Sequence, residues 1–215
     1  MPMSMQHLYS SRSHLYTAMI ALIGHRRSLK RFFQKRNMLM SGMTIIDAGC
    51  GSGALTRALW ELAQEQHLSN VHFFGFDLTR QMLDQFQSWI DRDRVTNVQL
   101  LQADLLNLPP TPYSLPQANI IVTSGMLEYI PRDRFVEALK NLKSLLKPDG
   151  RLFIFISRTG WQNNIMVEKL WHANLYSQPE LQTSCHSAGL SIISLKSFKT
   201  WGFAIELRED GPTIA

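Results

Sequence analysis

The chain has 215 residues, of which 45% are hydrophobic and 18% are charged. This length and composition fit one globular domain over residues 1–215 with a buried core, and they exclude wholesale disorder. The two cysteines, Cys50 and Cys185, lack metal-ligand spacing, and the sequence shows no export signal. We therefore expect a reducing, cytoplasmic setting and no metal site.

Positive charge is concentrated near the N-terminus. The chain has a formal net charge of +5, and its first 46 residues carry seven Arg or Lys and no acid, which leaves −2 for the remainder. Residues 1–40 are predicted to form a helical basic cap. The apolar run at residues 15–23 is about half the length of a membrane span, so we expect it to pack as a helix.

After residue 42, short β-rich runs alternate with amphipathic helical stretches, which is typical of an α/β fold with a mainly parallel sheet. Apolar stripes favour the helices, and Pro148 to Gly150 predicts a turn. The last two strands are close enough in sequence to form an antiparallel hairpin. In chain order, strands are predicted at residues 44–47, 71–77, 98–102, 118–124, 151–157, 191–198 and 202–207, and helices at residues 53–66, from 79, from about 131 and at 179–188. The predicted stripes are Leu55, Leu59 and Leu62; Met82, Phe86 and Ile90; and Phe135, Leu139, Leu142 and Leu146.

A glycine-rich segment, D-A-G-C-G-S-G at residues 47–53, follows the first predicted strand. Glycines at this edge of a parallel sheet let the backbone approach a ligand closely. The segment alone is ambiguous, because Gly49, Gly51 and Ala54 also match the pattern of dinucleotide binders.

Three aspartates, Asp47, Asp77 and Asp104, end or directly follow three successive predicted strands. Because parallel strands end at one edge, these carboxylates are expected to face one crevice. They would repel a pyrophosphate and attract a cofactor that carries a sulfonium and an ammonium group. The pattern therefore favours S-adenosylmethionine over NAD.

Four segments together resemble the motifs of class I methyltransferases, in particular those that act on small molecules such as quinone precursors. They are D-A-G-C-G-S-G, G-F-D-L at residues 75–78, A-D-L at 103–105 and S-G-M-L-E-Y-I-P at 124–131. The resemblance covers roughly residues 9–207. It implies a Rossmann-like, doubly wound, seven-stranded sheet, mostly parallel with the last strand antiparallel, with helices on both faces.

The resemblance also implies roles for ten residues in binding S-adenosylmethionine. The glycine loop would surround the methionine part, and Asp77 would accept hydrogen bonds from the ribose hydroxyls. Asp104 would accept from the adenine amino group. The ten residues are Asp47, Gly49, Gly51 and Gly53 around the methionine part, Asp77 at the ribose, Leu78, Asp104 and Leu105 at the adenine, and Ser124 and Gly125 beneath the methyl group. For Asp47, a local capping role is the alternative.

Methyl transfer from a sulfonium is an in-line displacement with a good leaving group, so alignment and water exclusion are the main requirements. A general base is needed only for a protonated acceptor, and the candidates are Tyr129 and His172. An aromatic-rich stretch at residues 158–178 is the expected substrate lid. Together with the N-terminal segment it indicates a small apolar or aromatic acceptor, with Tyr9, Tyr16, Trp161 and Trp171 as substrate residues.

A predicted basic helix near the N-terminus is compatible with partners other than a small molecule. Its charges suit a membrane surface, an acidic partner or, with less support, nucleic-acid phosphates. The alternative is a solvated basic face that binds no partner. An RNA or protein methyltransferase is therefore one alternative function, and a cofactor-binding module without activity is another. The helix carries Arg26, Arg27, Lys30, Arg31 and Lys35 on one side and Leu29, Phe32 and Phe33 on the other.

Overall fold

The computed structural model describes residues 25–108, 115–159, 173–198 and 202–211. The chain divides into two compact units between Asp104 and Leu105. No helix among the described residues is both long enough and apolar enough to cross a membrane.

The first unit alternates helices and strands. Its elements are α1 (His25–Gln34), β1 (Thr44–Ala48), α2 (Ala54–Glu65), β2 (His72–Asp77), α3 (Arg80–Arg92) and β3 (Val98–Gln102). β1 pairs with β2 and β2 with β3, both parallel. The parallel pairing carries all three strand ends to one edge, so Asp47 and Asp77 lie at neighbouring strand ends.

The core of this unit explains why α2 and α3 form where they do. The predicted stripes are buried: Leu59 and Phe86 have no exposed surface, and Met82 is 4% exposed. Burying a side chain of this size stabilises the fold by roughly 1.5 to 3 kcal/mol. The 3.6-residue spacing of the stripes therefore sets which face of each helix meets the sheet.

The second unit contains the remaining strands and helices. They are β4 (Ala118–Ser124), short 3₁₀ turns at Leu127–Tyr129 and Arg132–Arg134, α4 (Phe135–Ser144), β5 (Leu146–Ser157), α5 (Gln178–Ser187), β6 (Leu190–Phe198) and β7 (Gly202–Glu209). α5 begins with a capping box at Ser177 and Glu180, with proline in the first turn. It is followed by Gly189, whose φ of 71° suits the predicted helix end.

One predicted boundary is wrong. Leu146 was assigned to the helical stripe and residues 148–150 to a turn before the strand, whereas β5 already begins at Leu146. Leu146 pairs with Ala118 and Arg151 with Ile120, so residues 147–150 are accommodated by a shift of register. Asp149 takes a positive φ of 64° there. The turn is therefore an irregularity within the strand, and the helix ends two residues earlier than the apolar spacing indicates.

The seven strands form one sheet in the order β3-β2-β1-β4-β5-β7-β6. β4 pairs parallel with β5, whereas β7 pairs antiparallel with both β5 and β6. The predicted mixed sheet with an antiparallel last strand is therefore confirmed, including the antiparallel pairing of the two C-terminal strands.

Candidate cofactor site

The glycine loop joins the end of β1 to the start of α2. Gly49, Gly51 and Gly53 have φ values of 70°, 52° and 86°, a region that side chains with a Cβ rarely adopt. At Gly53 an added Cβ would also lie 2.5 Å from the Phe86 ring. The three glycines are thus required by the backbone itself, and at Gly53 by packing against α3 as well.

Hydrogen bonds tie this loop to the end of β2. The Gly49 and Cys50 amides both donate to the Phe76 carbonyl, at 2.8 and 3.0 Å. The Gly51 amide donates to Oδ2 of Asp77 at 2.9 Å. Loop and strand end therefore form one preorganised backbone surface.

Asp47 lies beneath the loop and is 3% exposed. Its Oδ2 accepts hydrogen bonds from the Thr56 amide at 3.1 Å and from the Thr56 hydroxyl at 2.6 Å, in the first turn of α2. Burial raises the pKa of Asp47 to about 7, although the bonds to Thr56 oppose the shift. The carboxyl thus holds the helix start, as in the alternative reading, and its predicted place in the cofactor site stays a prediction. Thr56 was missed because only folding brings it onto Asp47.

Asp77 is anchored by two backbone amides. Its Oδ1 accepts from the Thr79 amide at 2.8 Å, and its Oδ2 accepts from Gly51. Burial raises the pKa of Asp77 even though these amides favour the charged form. Next to it, Leu78 is 45% exposed, which is unusual for a large apolar residue. At the end of the first unit, Asp104 is partly buried.

These carboxylates provide a test of whether S-adenosylmethionine fits. Neither Asp47 nor Asp77 forms an ion pair with another described residue. Buried carboxyls without cationic partners have raised pKa values because nothing compensates their lost hydration. A cationic ligand would supply that compensation, so the residues of the first unit fit a cofactor with a sulfonium and an ammonium group.

In the second unit, Ser124 ends β4 and Gly125 follows with a φ of 70°. The Gly125 amide donates to the Phe155 carbonyl at 3.1 Å, which fixes the turn against β5. Leu105, the first residue of this unit, is 4% exposed. Tyr129, the candidate base, is partly buried in the 3₁₀ turn that comes next.

Glu128 in the same turn was missed by the sequence reasoning, although it belongs to the motif at residues 124–131. It is 3% exposed, and its Oε1 accepts from the Ser157 amide at 2.9 Å at the end of β5. Its carbonyl accepts from the Asn174 amide at 2.7 Å. Burial raises the pKa of Glu128, and its Oε2 has no hydrogen-bond partner among the described residues. The turn that carries Tyr129 is therefore fixed from two sides.

The candidate substrate residues Tyr9, Tyr16, Trp161 and Trp171, and the candidate base His172, lie outside the described residues. Their roles stay predictions, as does the lid at residues 158–178. In the described ranges, no group of three or more His, Cys, Asp or Glu side chains is arranged to hold a metal ion.

The structure separates the five basic residues Arg26, Arg27, Lys30, Arg31 and Lys35, of which the first four lie in α1 and Lys35 directly follows it, into two sets. Leu29 and Phe33 are fully buried on the apolar side of this helix. Arg26 pairs with Glu61 of α2, and Lys30 pairs with Glu65 at 2.5 Å and with Glu61 at 3.6 Å. The other three, Arg27, Arg31 and Lys35, are exposed and make no ion pair with another described residue. Only this second set is oriented for an external partner.

A glycine loop after the first strand, with carboxylates at successive strand ends of a seven-stranded mixed sheet, defines a Rossmann-like methyltransferase domain. A family model described as a methyltransferase domain matches residues 39–197. The chain therefore belongs to this methyltransferase family.

Curated relatives agree with this assignment. The chain is 27% identical over 146 residues to a malonyl-[acyl-carrier protein] O-methyltransferase of Halalkalibacterium halodurans, which covers 68% of this chain and 49% of the relative. It is 27% identical over 130 residues to a ubiquinone biosynthesis O-methyltransferase of Haemophilus ducreyi, which covers 60% of this chain and 51% of the relative. The chain thus spans about half the length of these relatives.

Solved structures share the fold. Magnesium protoporphyrin IX methyltransferase of Synechocystis PCC 6803, crystallised with bound S-adenosylmethionine, has a TM-score of 0.65 at 17% identity, covering 87% of this chain and 81% of that chain. An S-adenosylmethionine-dependent methyltransferase of Clostridium acetobutylicum has a TM-score of 0.72 at 14% identity, covering 95% and 100%. At such identities the likeness concerns the fold alone.

Proposed function

We propose that this protein transfers a methyl group from S-adenosylmethionine to a small apolar or aromatic acceptor by in-line displacement. When bound, the cofactor supplies an electrophilic methyl group on a sulfonium that leaves as a neutral thioether. One observation carries the proposal. The glycine loop lies against the buried carboxyl of Asp47 and the half-buried carboxyl of Asp77, and neither forms an ion pair with another described residue.

The chain's own residues would hold the cofactor as follows. The carboxylate of Asp77, fixed by Gly51 and Thr79, would accept from the ribose hydroxyls. Leu78, half exposed beside it, would cover one adenine face, and Leu105 the other. Asp104 would accept from the adenine amino group.

Closer to the transferred methyl group, the backbone at Gly49, Gly51 and Gly53 would surround the methionine part, and Asp47 would support that loop through Thr56. Ser124 and Gly125 would lie beneath the methyl group.

The small aromatic acceptor is supported by the name of one relative, which refers to ubiquinone biosynthesis, whereas the name of another refers to malonyl-[acyl-carrier protein]. Both names describe O-methyltransferases. Methyl transfer here would depend mainly on alignment and exclusion of water, and Tyr129 would serve as base only for an acceptor that enters protonated. We also propose a cytoplasmic location, in keeping with Cys50 and Cys185 as free, buried thiols.

A partner surface on α1 is a second part of the proposal. Arg27 and Arg31 of α1 and Lys35 directly after it lie four residues apart, and the Lys35 amide still donates to the Arg31 carbonyl at 3.1 Å. Successive side chains on this exposed stripe are therefore separated by about 6 Å along the helix axis. We propose that this stripe contacts an anionic membrane surface or an acidic partner. The same stripe supports the alternative of an RNA or protein substrate, and a tRNA (guanine-N(7)-)-methyltransferase of Mycobacterium leprae matches 40% of the chain at 29% identity.

Two measurements test the proposed function. Calorimetry with S-adenosylmethionine, S-adenosylhomocysteine and NAD should show binding of the first two only. Labelled methyl transfer onto a cell extract divided into metabolites, lipids, RNA and protein should then label the metabolite or lipid fraction. The variant Asp77→Asn should reduce both signals, whereas Asp149→Asn, at an exposed position of β5, should not.

Label in the RNA or protein fraction would support the alternative function of an RNA or protein methyltransferase. Tight binding of S-adenosylmethionine without transfer to any fraction would indicate a cofactor-binding module. Binding of NAD alone would overturn the proposal.

A further inference from the structure

Arg57 of α2 reaches back to the glycine loop that precedes its own helix. Its Nη2 donates to the Ser52 carbonyl at 3.0 Å. This carbonyl belongs to the peptide between Ser52 and Gly53, where the chain turns through a φ of 86° into the helix. The bond therefore acts on the peptide through which the loop enters the helix.

The guanidinium is itself held by a rigid aromatic support. Its central carbon lies 4.9 Å from the centroid of the Trp89 ring of α3, and Trp89 is 5% exposed. Trp60 packs edge-on against Trp89 with centroids 5.6 Å apart, and its Nε1 donates to Asn97 at 3.0 Å. Because these rings are fixed, the position of the Arg57 fork is fixed as well.

Partial burial of the Arg57 guanidinium costs hydration free energy. Burial lowers the pKa of Arg57, and its Nε is buried without a hydrogen-bond partner among the described residues. An apolar side chain of similar length could fill the same space without losing hydration. What such a side chain could not do is donate to the Ser52 carbonyl.

Three backbone amides of the loop are fixed by the end of β2. The Gly49 and Cys50 amides bond to Phe76, and the Gly51 amide bonds to Asp77. The bond from Arg57 acts two residues further on. The Gly53 amide of the same peptide donates to the Cys50 carbonyl at 2.9 Å, so without Arg57 this single bond would hold the peptide. The remaining freedom would have to be lost when the cofactor binds, and that ordering lowers affinity.

We propose that Arg57 is a positioning residue for S-adenosylmethionine, which holds the peptide between Ser52 and Gly53 in its binding conformation before the cofactor arrives. The inference rests on the cofactor of the family and is independent of which acceptor is methylated. A protein that binds S-adenosylmethionine but methylates none of the tested acceptors would contradict the proposed function and leave this inference intact.

The test compares Arg57→Met with wild type in the full chain. Because the variant must order this peptide on binding, calorimetry should show S-adenosylmethionine binding roughly 5-fold to 30-fold more weakly, the cost of ordering about one residue. Amide hydrogen exchange at residues 49–53 should be faster in the free variant and should return toward the wild-type rate at saturating cofactor. The control Arg134→Met removes an arginine that pairs with Glu137 at 2.5 Å, and it should change neither readout.

Arg57→Lys provides the second variant. The lysine ammonium can still donate to the Ser52 carbonyl but lacks the guanidinium group that lies over the Trp89 ring. The affinity and exchange rates of this variant should therefore lie between those of wild type and Arg57→Met. If Arg57→Met does not fold, Arg57→Lys against wild type is the decisive comparison. Affinity within about twofold of wild type, together with unchanged exchange at residues 49–53, would overturn the inference.

Discussion

Replacing Asp47 by asparagine removes the ionisable carboxyl, so the variant shows how burial of this carboxyl affects stability and cofactor binding. Asparagine keeps an acceptor for the amide and hydroxyl of Thr56 but carries no charge. In the folded protein the pKa of Asp47 is raised from 3.8 to about 7, mainly by burial. The folded state therefore binds the proton more tightly than the unfolded state. This contributes stability below pH 3.8 that is progressively lost as the pH rises through about 7.

The magnitude follows from the two pKa values. A difference of about 3 units is worth roughly 4 kcal/mol in total, of which about 2.7 kcal/mol is lost between pH 5 and pH 8. The free energy of unfolding of wild type should thus fall relative to Asp47→Asn by about that amount over this interval. Burial also raises the pKa values of Asp77 and Glu128. Their contributions are common to both proteins and cancel in the difference.

Urea unfolding of the cofactor-free proteins at several pH values between 5 and 8 measures this difference. Asp149→Asn, which alters an exposed carboxyl, serves as the control and should follow wild type. Parallel pH dependences for wild type and Asp47→Asn would refute the assignment of a protonated, desolvated carboxyl beneath the loop.

The same substitution should act in the opposite direction on the cofactor. A bound cation favours ionised Asp47, so binding of S-adenosylmethionine should release a proton and tighten as the pH rises toward about 7. In Asp47→Asn this pH dependence should be shallower and the affinity lower. Calorimetry in buffers of different ionisation enthalpy measures both quantities.

Three further predictions concern the loop, the ribose site and the basic stripe. Gly53→Ala should lower the free energy of unfolding by about 1 to 3 kcal/mol more than the control Gly42→Ala. Both glycines have a positive φ, but only at Gly53 would the new Cβ lie 2.5 Å from an aromatic ring. Equal losses of stability in chemical denaturation would contradict this. Asp77→Asn should weaken S-adenosylmethionine roughly 10-fold or more in calorimetry, and an unchanged Kd would remove it from the ribose site. Charge reversal at Arg27 and Arg31 should weaken binding to anionic vesicles steeply at low salt, and an unchanged salt dependence would exclude a phosphate contact.

The secondary structure was largely predictable because its signals are local. The stripe of Met82, Phe86 and Ile90 predicted the buried face of α3, and the strands at residues 98–102 and 118–124 have the predicted bounds. The error at Leu146 has a physical cause. An apolar residue placed one helical turn after Leu142 fits a helix and a strand equally well, and its pairing with Ala118 made it a strand.

The aspartates at the strand ends were also predictable, because their positions relative to the glycines can be read from the sequence. The hydrogen-bond partners of the buried carboxyls could not be predicted. Thr56 and Asp47 are nine residues apart, and Ser157 lies 29 residues from Glu128. Such contacts depend on how a helix or turn is placed against the sheet.

Residue type and order were enough to predict the class of cofactor, since they place glycines and aspartates after successive predicted strands. What each of these groups does within the site depends on how the chain packs. The tertiary structure directed the Asp47 carboxyl to the start of α2 and the Arg57 fork to the Ser52 carbonyl. It also neutralised Arg26 and Lys30 with acids 35 residues away, leaving three neighbouring cations exposed. The physical reason is that charge and hydrogen-bonding capacity are fixed by sequence, whereas desolvation and pairing arise only when distant segments pack.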